Sequence, residues 1–365
     1  VRLEPCAFSE APNLWRLLGE KPWLGPLLSA ILLALAFAGL WPLVFIALVP
    51  WLLSLREVTP RQAWNRGYAF GLLFSLSQLW WLGQLAYTWT GSALLGLVPW
   101  ILAALLSAVY YGLLGRLVRS CGLLGAAWAI PLVWAGMEVF RSYLPVFAFP
   151  WALLAEPLVG TPLRGLAWFG TIYLVSAAVV AVNLAVAARS VRRLAALAAG
   201  GAFLLTLWAG VFRRTIDPLG RRDVVAAGQP GVDMAVPDEG VEERIAPSVD
   251  ALVRDATQRG ADVLVLPEGI TLGGPAIPPH TGFRIPAKPA LVFGGQRGSG
   301  PVYQSAYAHA NGRWSYADKT RLVIFGEFVP GRDVLPFLQA FHLPSGDLSA
   351  GDKLKGLDVG GLRVG

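Results

Sequence analysis

ADVLVLPEGI, residues 261–270, is a short apolar run that ends by delivering one carboxylate, Glu268. Bounded by Gly260 and Pro267, Ala261–Leu266 reads as a buried strand. Immediately upstream, Val241–Arg259 places Ile245, Val249, Leu252, Val253 and Ala256 on one helical face, with Gly260 as the stop. Pro247 is expected to kink that helix or to begin its regular part. Further strands are expected at Val232–Val236, at Ala290–Gly294, and at Tyr303–Ala310 and Trp314–Lys319 around the turn Asn311-Gly312. Strand, helix, strand and then a hairpin predict an α/β domain. In such folds chemistry gathers at the carboxyl ends of strands, where Glu268 stands. A carboxylate so placed suits a general base.

A second polar cluster follows at Tyr316–Arg332, YADKTRLVIFGEFVPGR. Lys319 could orient the Glu268 base or stabilise an oxyanion, and Glu327 lies eight residues beyond it. Each also has a plain structural alternative. Glu268 could cap the next element, Lys319 could be a solvated strand end, and Glu327 could pair with Arg332.

The N-terminal half is different in kind. The chain has 365 residues, 55% of them hydrophobic and 15% charged, with a mean hydropathy of +0.55, the balance of a membrane protein. Residues 1–212 hold 13 bases and 6 acids, whereas residues 213–365 hold 17 of each. The basic excess therefore sits beside apolar segments, as charge facing anionic lipid, and is not a nucleic-acid surface. Long windows free of charge separate Lys21 from Arg56, Arg66 from Arg116, Arg119 from Glu138, Arg164 from Arg189, and Arg193 from Arg213. At about 20 apolar residues per crossing they predict about seven spans, near 24–40, 42–55, 68–87, 93–115, 122–140, 166–187 and 194–212. A soluble helical bundle would need amphipathic faces that these windows lack. Lys and Arg concentrate in alternate short loops, which places the N-terminus inside and the residues after 212 outside. The expected organisation is a membrane domain over 1–212, a linker over 213–230 and an α/β domain over 231–365. Between spans five and six, Leu144–Leu158 (LPVFAFPWALLAEPL) carries Phe147, Phe149 and Trp151. It reads either as an aromatic belt with a snorkelling Arg141 or as the rim of a lipid-entry site, with Phe149 and Trp151 touching substrate. Cys6 and Cys121 are too few for a disulfide framework, and His280, His309 and His342 form no metal motif.

A multi-span half followed by L-P-E-G (266–269) and then Y-x-x-K-x-x-L-V-x-F-G-E-F-V-P (316–330) resembles the apolipoprotein N-acyltransferases, bacterial inner-membrane enzymes. Their soluble part is similar to the nitrilase superfamily, an αββα sandwich with a Glu-Lys-Cys triad. Glu268 matches the base, Lys319 the triad lysine, and Glu327 the acid of the Phe-Gly-Glu segment. The Gly39–Pro42 break, the Glu138/Arg141 pair and Phe149-Pro150-Trp151 agree as well. The departures lie in the pocket lining. Val236-Pro237-Asp238 ends the first strand, no Trp stands between Trp208 and Trp314, Arg321 replaces a common histidine, and Ile324 replaces a common proline.

The resemblance implies acyl transfer from a phospholipid donor to the α-amino group of a diacylglyceryl-cysteine on an apolipoprotein, through a Cys thioester, in the membrane and without metal or cofactor. It also implies a nucleophilic Cys soon after residue 330, on a strand that the turn Val359–Gly361 would enter. Neither Cys6 nor Cys121 occupies that place, so the sandwich is expected to be incomplete and the nucleophile to lie beyond Gly365. Two other functions share these features: a membrane-tethered nitrilase-like amidase using water as acceptor, and an inactive remnant serving as a scaffold.

Overall fold

The computed structural model describes residues 21–144, 149–216, 223–232, 241–274, 277–323, 326–329, 331, 334 and 347–364. The chain forms two compact units, Val1–Asp217 and Pro218–Gly365.

The first unit is helical. Helix α1 (Leu24–Phe37) ends where Gly39 takes a left-handed φ of 112°, and Pro42 opens a 3₁₀ turn over Trp41–Phe45 before α2 (Val49–Ser54). The sequence break near 39–42 is thus a real change of direction. A broken helix exposes backbone groups that an apolar environment cannot satisfy. Here Asn183, fully buried on α7 (Ala167–Ala187), answers them: its Oδ1 accepts from Leu48 N (2.9 Å) and its Nδ2 donates to Val44 O (2.9 Å). Ser29 Oγ likewise accepts from Trp51 N (2.9 Å).

Helix α3 (Pro60–Gln78) begins at a capping box, in which Thr59 Oγ1 accepts from Gln62 N and Gln62 Oε1 accepts from Thr59 N. The cap sets the helix start well before residue 68, and a break at Leu79 divides the expected span 68–87 between α3 and α4 (Trp80–Thr90). Arg66 is tolerated inside α3 because Nη1 donates to the Ser54 carbonyl at the end of α2. Helix α5 (Ala93–Leu123) has 31 residues, α6 covers Ile130–Tyr143, and α8 covers Val191–Ile216. Among the described residues, three helical segments are long and apolar enough to cross a membrane: Ala93–Leu123, Pro162–Ala187 and Val191–Val211. Leu24–Phe37 and Trp41–Ser54 are shorter apolar segments.

Helices α3 and α5 approach closely because glycines line their contact. A Cβ on Gly67 would collide with the Tyr111 carbonyl oxygen, and one on Gly115 with the Ala63 carbonyl oxygen. Small residues permit such contact where lipid supplies no hydrophobic drive between helices. Beside them Trp51, Phe70, Phe74, Tyr111 and Trp134 form a buried aromatic core, with Trp51 stacked on Phe70 at 5.2 Å and Tyr111 edge-on to Phe70 at 5.4 Å. The outside is apolar too: α5 exposes Leu94, Val98, Leu102 and Leu106.

The second unit holds a mixed sheet in the order β1-β2-β4-β5-β6. The strands are β1 (Val225–Ala227), β2 (Val263–Val265), β4 (Ala290–Arg297), β5 (Tyr303–Ala310) and β6 (Arg313–Asp318); β3 (Thr271–Gly274) also pairs with β4. β1, β2, β3 and β4 run parallel, and β5 is antiparallel to both β4 and β6. Helix α9 (Val241–Gln258) covers one face, packing Ile245, Val249 and Ala256 among Leu264, Leu291, Phe293 and Tyr307. It runs through Pro247 and does not start there. The hairpin β7 (Leu357–Val359) and β8 (Leu362–Val364) covers the other face, with Leu357 and Val359 against Val263, Val292 and Ala308. Alternate residues of β2, β4 and β5 thus serve opposite layers, as a pleat requires.

β1 lies inside 213–230, the stretch expected to be a linker. Three residues are too few to show a period-2 pattern. The strand is identified by its partner: Asp262 N donates to Val224 O and Asp262 Oδ2 accepts from Val224 N, both at 2.8 Å. Of the strand expected at Val232–Val236, all but Val232 lies outside the described residues, as do Cys6, Phe147, Ile324, Pro330 and Arg332.

Candidate active site

β6 is antiparallel to β5, which is antiparallel to β4, so β2, β4 and β6 all point the same way. Their carboxyl ends therefore share one edge of the sheet. That edge receives Glu268 from beyond β2, Arg297 from the end of β4 and Lys319 from just past β6.

Glu268 is held by backbone pairing that continues past the formal end of β2. Leu266 N donates to Val292 O (2.8 Å), Gly294 N to Pro267 O (3.0 Å) and Ile270 N to Gly294 O (2.9 Å). Gly294 allows this approach because a Cβ there would meet Glu268 Cα at 2.6 Å. Lys319 is fixed at both backbone ends: its N–H donates to Gln304 O (2.7 Å) and its carbonyl accepts from Gly351 N (2.9 Å).

The ammonium joins both acids. Lys319 Nζ donates to Glu327 Oε1 at 2.6 Å and to Glu268 Oε1 at 3.4 Å. The two carboxylates are not equivalent. Glu327 is 15% exposed, and its Oε2 accepts from Val323 N at 2.7 Å. Glu268 is 58% exposed, and its ion pair is the longer one. Glu327 is thus the anchor of the lysine, while Glu268 keeps an open face toward incoming groups. Burial acts to lower the Lys319 pKa, but the hydrogen bond to Glu327 and the two negative charges outweigh it and hold the ammonium above its ordinary range. A permanently charged donor at this edge can stabilise an oxyanion, and a carboxylate beside it can take a proton. The three polar residues that the sequence singled out therefore meet. Glu327 Oε1 and Oε2 accept from Lys319 Nζ and Val323 N, while the plain alternative, its pairing with Arg332, lies outside the described residues.

The second pair of candidates belongs to the helical unit. Phe149 and Trp151 stand together, ring centroids 6.3 Å apart, and Trp151 packs on Trp81 at 5.0 Å while remaining 50% exposed. Glu138 and Arg141 hold their loop. Glu138 Oε1 accepts from Trp134 Nε1 (2.9 Å) and Leu154 N (2.8 Å), and Arg141 Nη2 donates to Trp151 O (2.8 Å). Both are nearly fully buried, so Arg141 is a loop clamp and not a snorkelling cation. Cys121 stands on α5 of the same unit. Arg297 and Asp318 pair beside Lys319, an arrangement that no spacing marks in advance; only strand register brings residues 21 positions apart into contact.

Comparison with known proteins agrees with this layout. Residues 29–185 match the family model described as the apolipoprotein N-acyltransferase N-terminal domain. The apolipoprotein N-acyltransferase of Geobacter metallireducens is 30% identical over 386 aligned residues, covering 95% of this chain and 72% of the relative. This chain belongs to the apolipoprotein N-acyltransferase family. Proteins of the same name from Azotobacter vinelandii (31% identical, 90% of this chain, 69% of the relative) and Pseudomonas syringae (29%, 87% and 67%) extend the match. Their alignments take in far more than the helical half, so the apolipoprotein N-acyltransferase resemblance includes the sheet that carries Glu268 and Lys319. Family membership makes this an acyltransferase, and its long apolar helices fit a membrane enzyme.

Proposed function

We propose that this protein moves an acyl chain from a phospholipid to the α-amino group of the diacylglyceryl-cysteine of an apolipoprotein. The observation that carries this is the Lys319 ammonium bridging Glu327 at 2.6 Å and Glu268 at 3.4 Å, at the carboxyl edge of a sheet, in a chain of this family. Glu268 takes the proton of a cysteine thiol. The thiolate attacks the ester carbonyl, and Lys319 offers its N–H groups to the oxygen that gains charge. The tetrahedral adduct expels the lysophospholipid alkoxide, which recovers a proton from Glu268 and leaves an acyl thioester. The acceptor amine then attacks the thioester, Glu268 removes an N–H proton, and the thiolate departs. Glu327 keeps Lys319 in place through both halves.

Both substrates are lipids, which accounts for an apolar half. We infer about seven crossings of the inner membrane, with the α/β domain outside, in the nitrilase-like αββα architecture. β1 enlarges that domain to begin before residue 231. Phe149 and Trp151, clamped by Glu138 and Arg141, form an apolar rim for the acyl chain.

The test uses the full-length protein, purified in detergent and supplied with phospholipid and a diacylglyceryl peptide. N-acyl peptide should form. Glu268→Gln should lower the rate by about 10²–10⁴-fold and Lys319→Ala by about 10²–10³-fold. Undiminished turnover in either variant rejects the assigned roles, and release of free fatty acid without N-acyl peptide indicates an amidase-like or hydrolytic enzyme.

A further inference from the structure

The polar face next to Lys319 contains a second charged pair that the acyl-transfer chemistry leaves unused. Register places Arg297, Tyr303, Ser305, Tyr316 and Asp318 on one face of β4, β5 and β6. Arg297 forks onto Asp318, with Nε to Oδ1 at 3.0 Å and Nη2 to Oδ2 at 2.8 Å. Ser305 Oγ donates to Asp318 Oδ1 at 2.6 Å. The guanidinium lies between two rings, 4.7 Å from the Tyr303 centroid and 4.6 Å from that of Tyr316. A planar cation held by two parallel hydrogen bonds and two aromatic faces has little freedom left, which a lysine could not reproduce. Both side chains are mostly covered, Arg297 at 20% and Asp318 at 14% exposure. Burial acts to raise the Asp318 pKa, but Arg297 and Ser305 overcome it and hold the carboxyl below its usual range. Gly351 seals the arrangement from the next segment: a Cβ there would meet Asp318 Cβ at 2.8 Å, and its N–H is the one that caps the Lys319 carbonyl.

We propose that the Arg297–Asp318 pair is a positioning device, which fixes the end of β6 so that the adjacent Lys319 reaches Glu327 and Glu268 together. Asp318 is the last residue of β6, and among the described residues β5 is the strand's one sheet neighbour. A strand end at a sheet edge is prone to fray, and here the two backbone hydrogen bonds of Lys319 are supplemented by a side-chain tie at Asp318. The Arg297 fork ties Asp318 to β4, two strands away, so Lys319 emerges from a fixed point. Neither residue of the pair touches the reacting atoms. This inference rests on the reading of Lys319 as a site residue.

The experiment reads Lys319 without turnover. The chain in detergent micelles is pulse-labelled at fixed pH with an amine-reactive ester, and mass spectrometry compares Lys319 with the exposed Lys288 and Lys353 as internal references. Arg297→Lys keeps the charge and loses the fork and the stacking. It should raise Lys319 labelling relative to the references several-fold, because an amine released from its two carboxylates gives up its proton more readily. Asp318→Asn should do the same, and the double variant should exceed neither single one, as partners in one interaction require. In the full-length enzyme, Arg297→Lys should lower kcat with KM unchanged. A Lys319 ratio unchanged in Arg297→Lys overturns the proposal. Loss of acyl transfer in Lys319→Ala tests the underlying role of Lys319, so the two ideas fail on different measurements.

Discussion

Glu268 owes its place to a residue with no side chain. Because a Cβ on Gly294 would meet Glu268 Cα at 2.6 Å, Gly294→Ala must push the Pro267-Glu268 backbone away from β4. Overpacking of this kind costs about 1–3 kcal/mol. We expect a lowered melting temperature in detergent and a larger loss of acyl transfer than of stability, since the displaced group is the base itself. Asp318 makes a separate prediction. Its pKa in the folded protein is below that of the unfolded chain, roughly 3.9. Its contribution is therefore fully present above that value and is lost as pH falls through the lower, folded value. Asp318→Asn should reduce stability at neutral pH and flatten the acid limb of a plot of melting temperature against pH. At this scale sequence was informative where residues sit in a dense motif, as Glu268, Lys319 and Glu327 do. It was silent on Arg297 and Asp318, because neither their spacing nor their chemistry marks them before the register of three strands is known.

Turn chemistry made the β5–β6 hairpin readable. Asn311 and Gly312 both adopt positive φ, 51° and 74°, the type I′ geometry that the dipeptide favours, and the strands flank it as expected. The helix upstream of β2 was equally plain from its apolar face. β1 and β3 were not, being three and four residues long and held by partners distant in sequence. Among the membrane-side helices, hydropathy located apolar windows but not their divisions. Thr59 and Gln62 cap α3 by hydrogen bonding, which hydropathy does not register, and the break at Leu79 falls inside a charge-free run, so the window 68–87 was read as one element. The α3–α5 contact yields a prediction at this level. Gly67→Leu or Gly115→Leu would drive side-chain atoms into the Tyr111 and Ala63 carbonyls, so the helices must separate. Either variant should fail to accumulate in membranes or melt well below the parent protein, whereas Gly122→Leu on the same α5, where a Cβ would meet nothing within 4 Å, should be tolerated.

For the molecule as a whole, the charge pattern of the short loops makes a claim about sidedness. On the proposed topology Cys121, at the end of α5, faces the cytoplasm and the exposed loop residue Ser299 lies on the outer side. With intact cells and a thiol reagent that enters the periplasm but not the cytoplasm, Ser299→Cys should be labelled while Cys121 is not. Labelling of Cys121, or protection of Ser299→Cys, would reverse the assigned orientation. The apolar character of the first half was fully legible from composition. How many times it crosses is a finer matter, because long apolar helices such as α5 coexist with short ones such as α1 and α2, whose breaks are stabilised by Asn183 and Ser29.

The two ion pairs of Lys319 differ in the length of chain they close. Glu327 is 8 residues away and Glu268 is 51. Closing the longer loop costs about 1.6 kcal/mol more in chain entropy, before any strand pairing offsets it. β4, β5 and β6 meet through neighbouring segments, whereas β2 joins β4 in parallel across intervening chain, a slower class of contact. During synthesis and refolding, Lys319 should therefore find Glu327 early and Glu268 late. The second contact marks the moment at which the two halves of the sheet become one, so a refolding intermediate would carry an anchored lysine before it has a base.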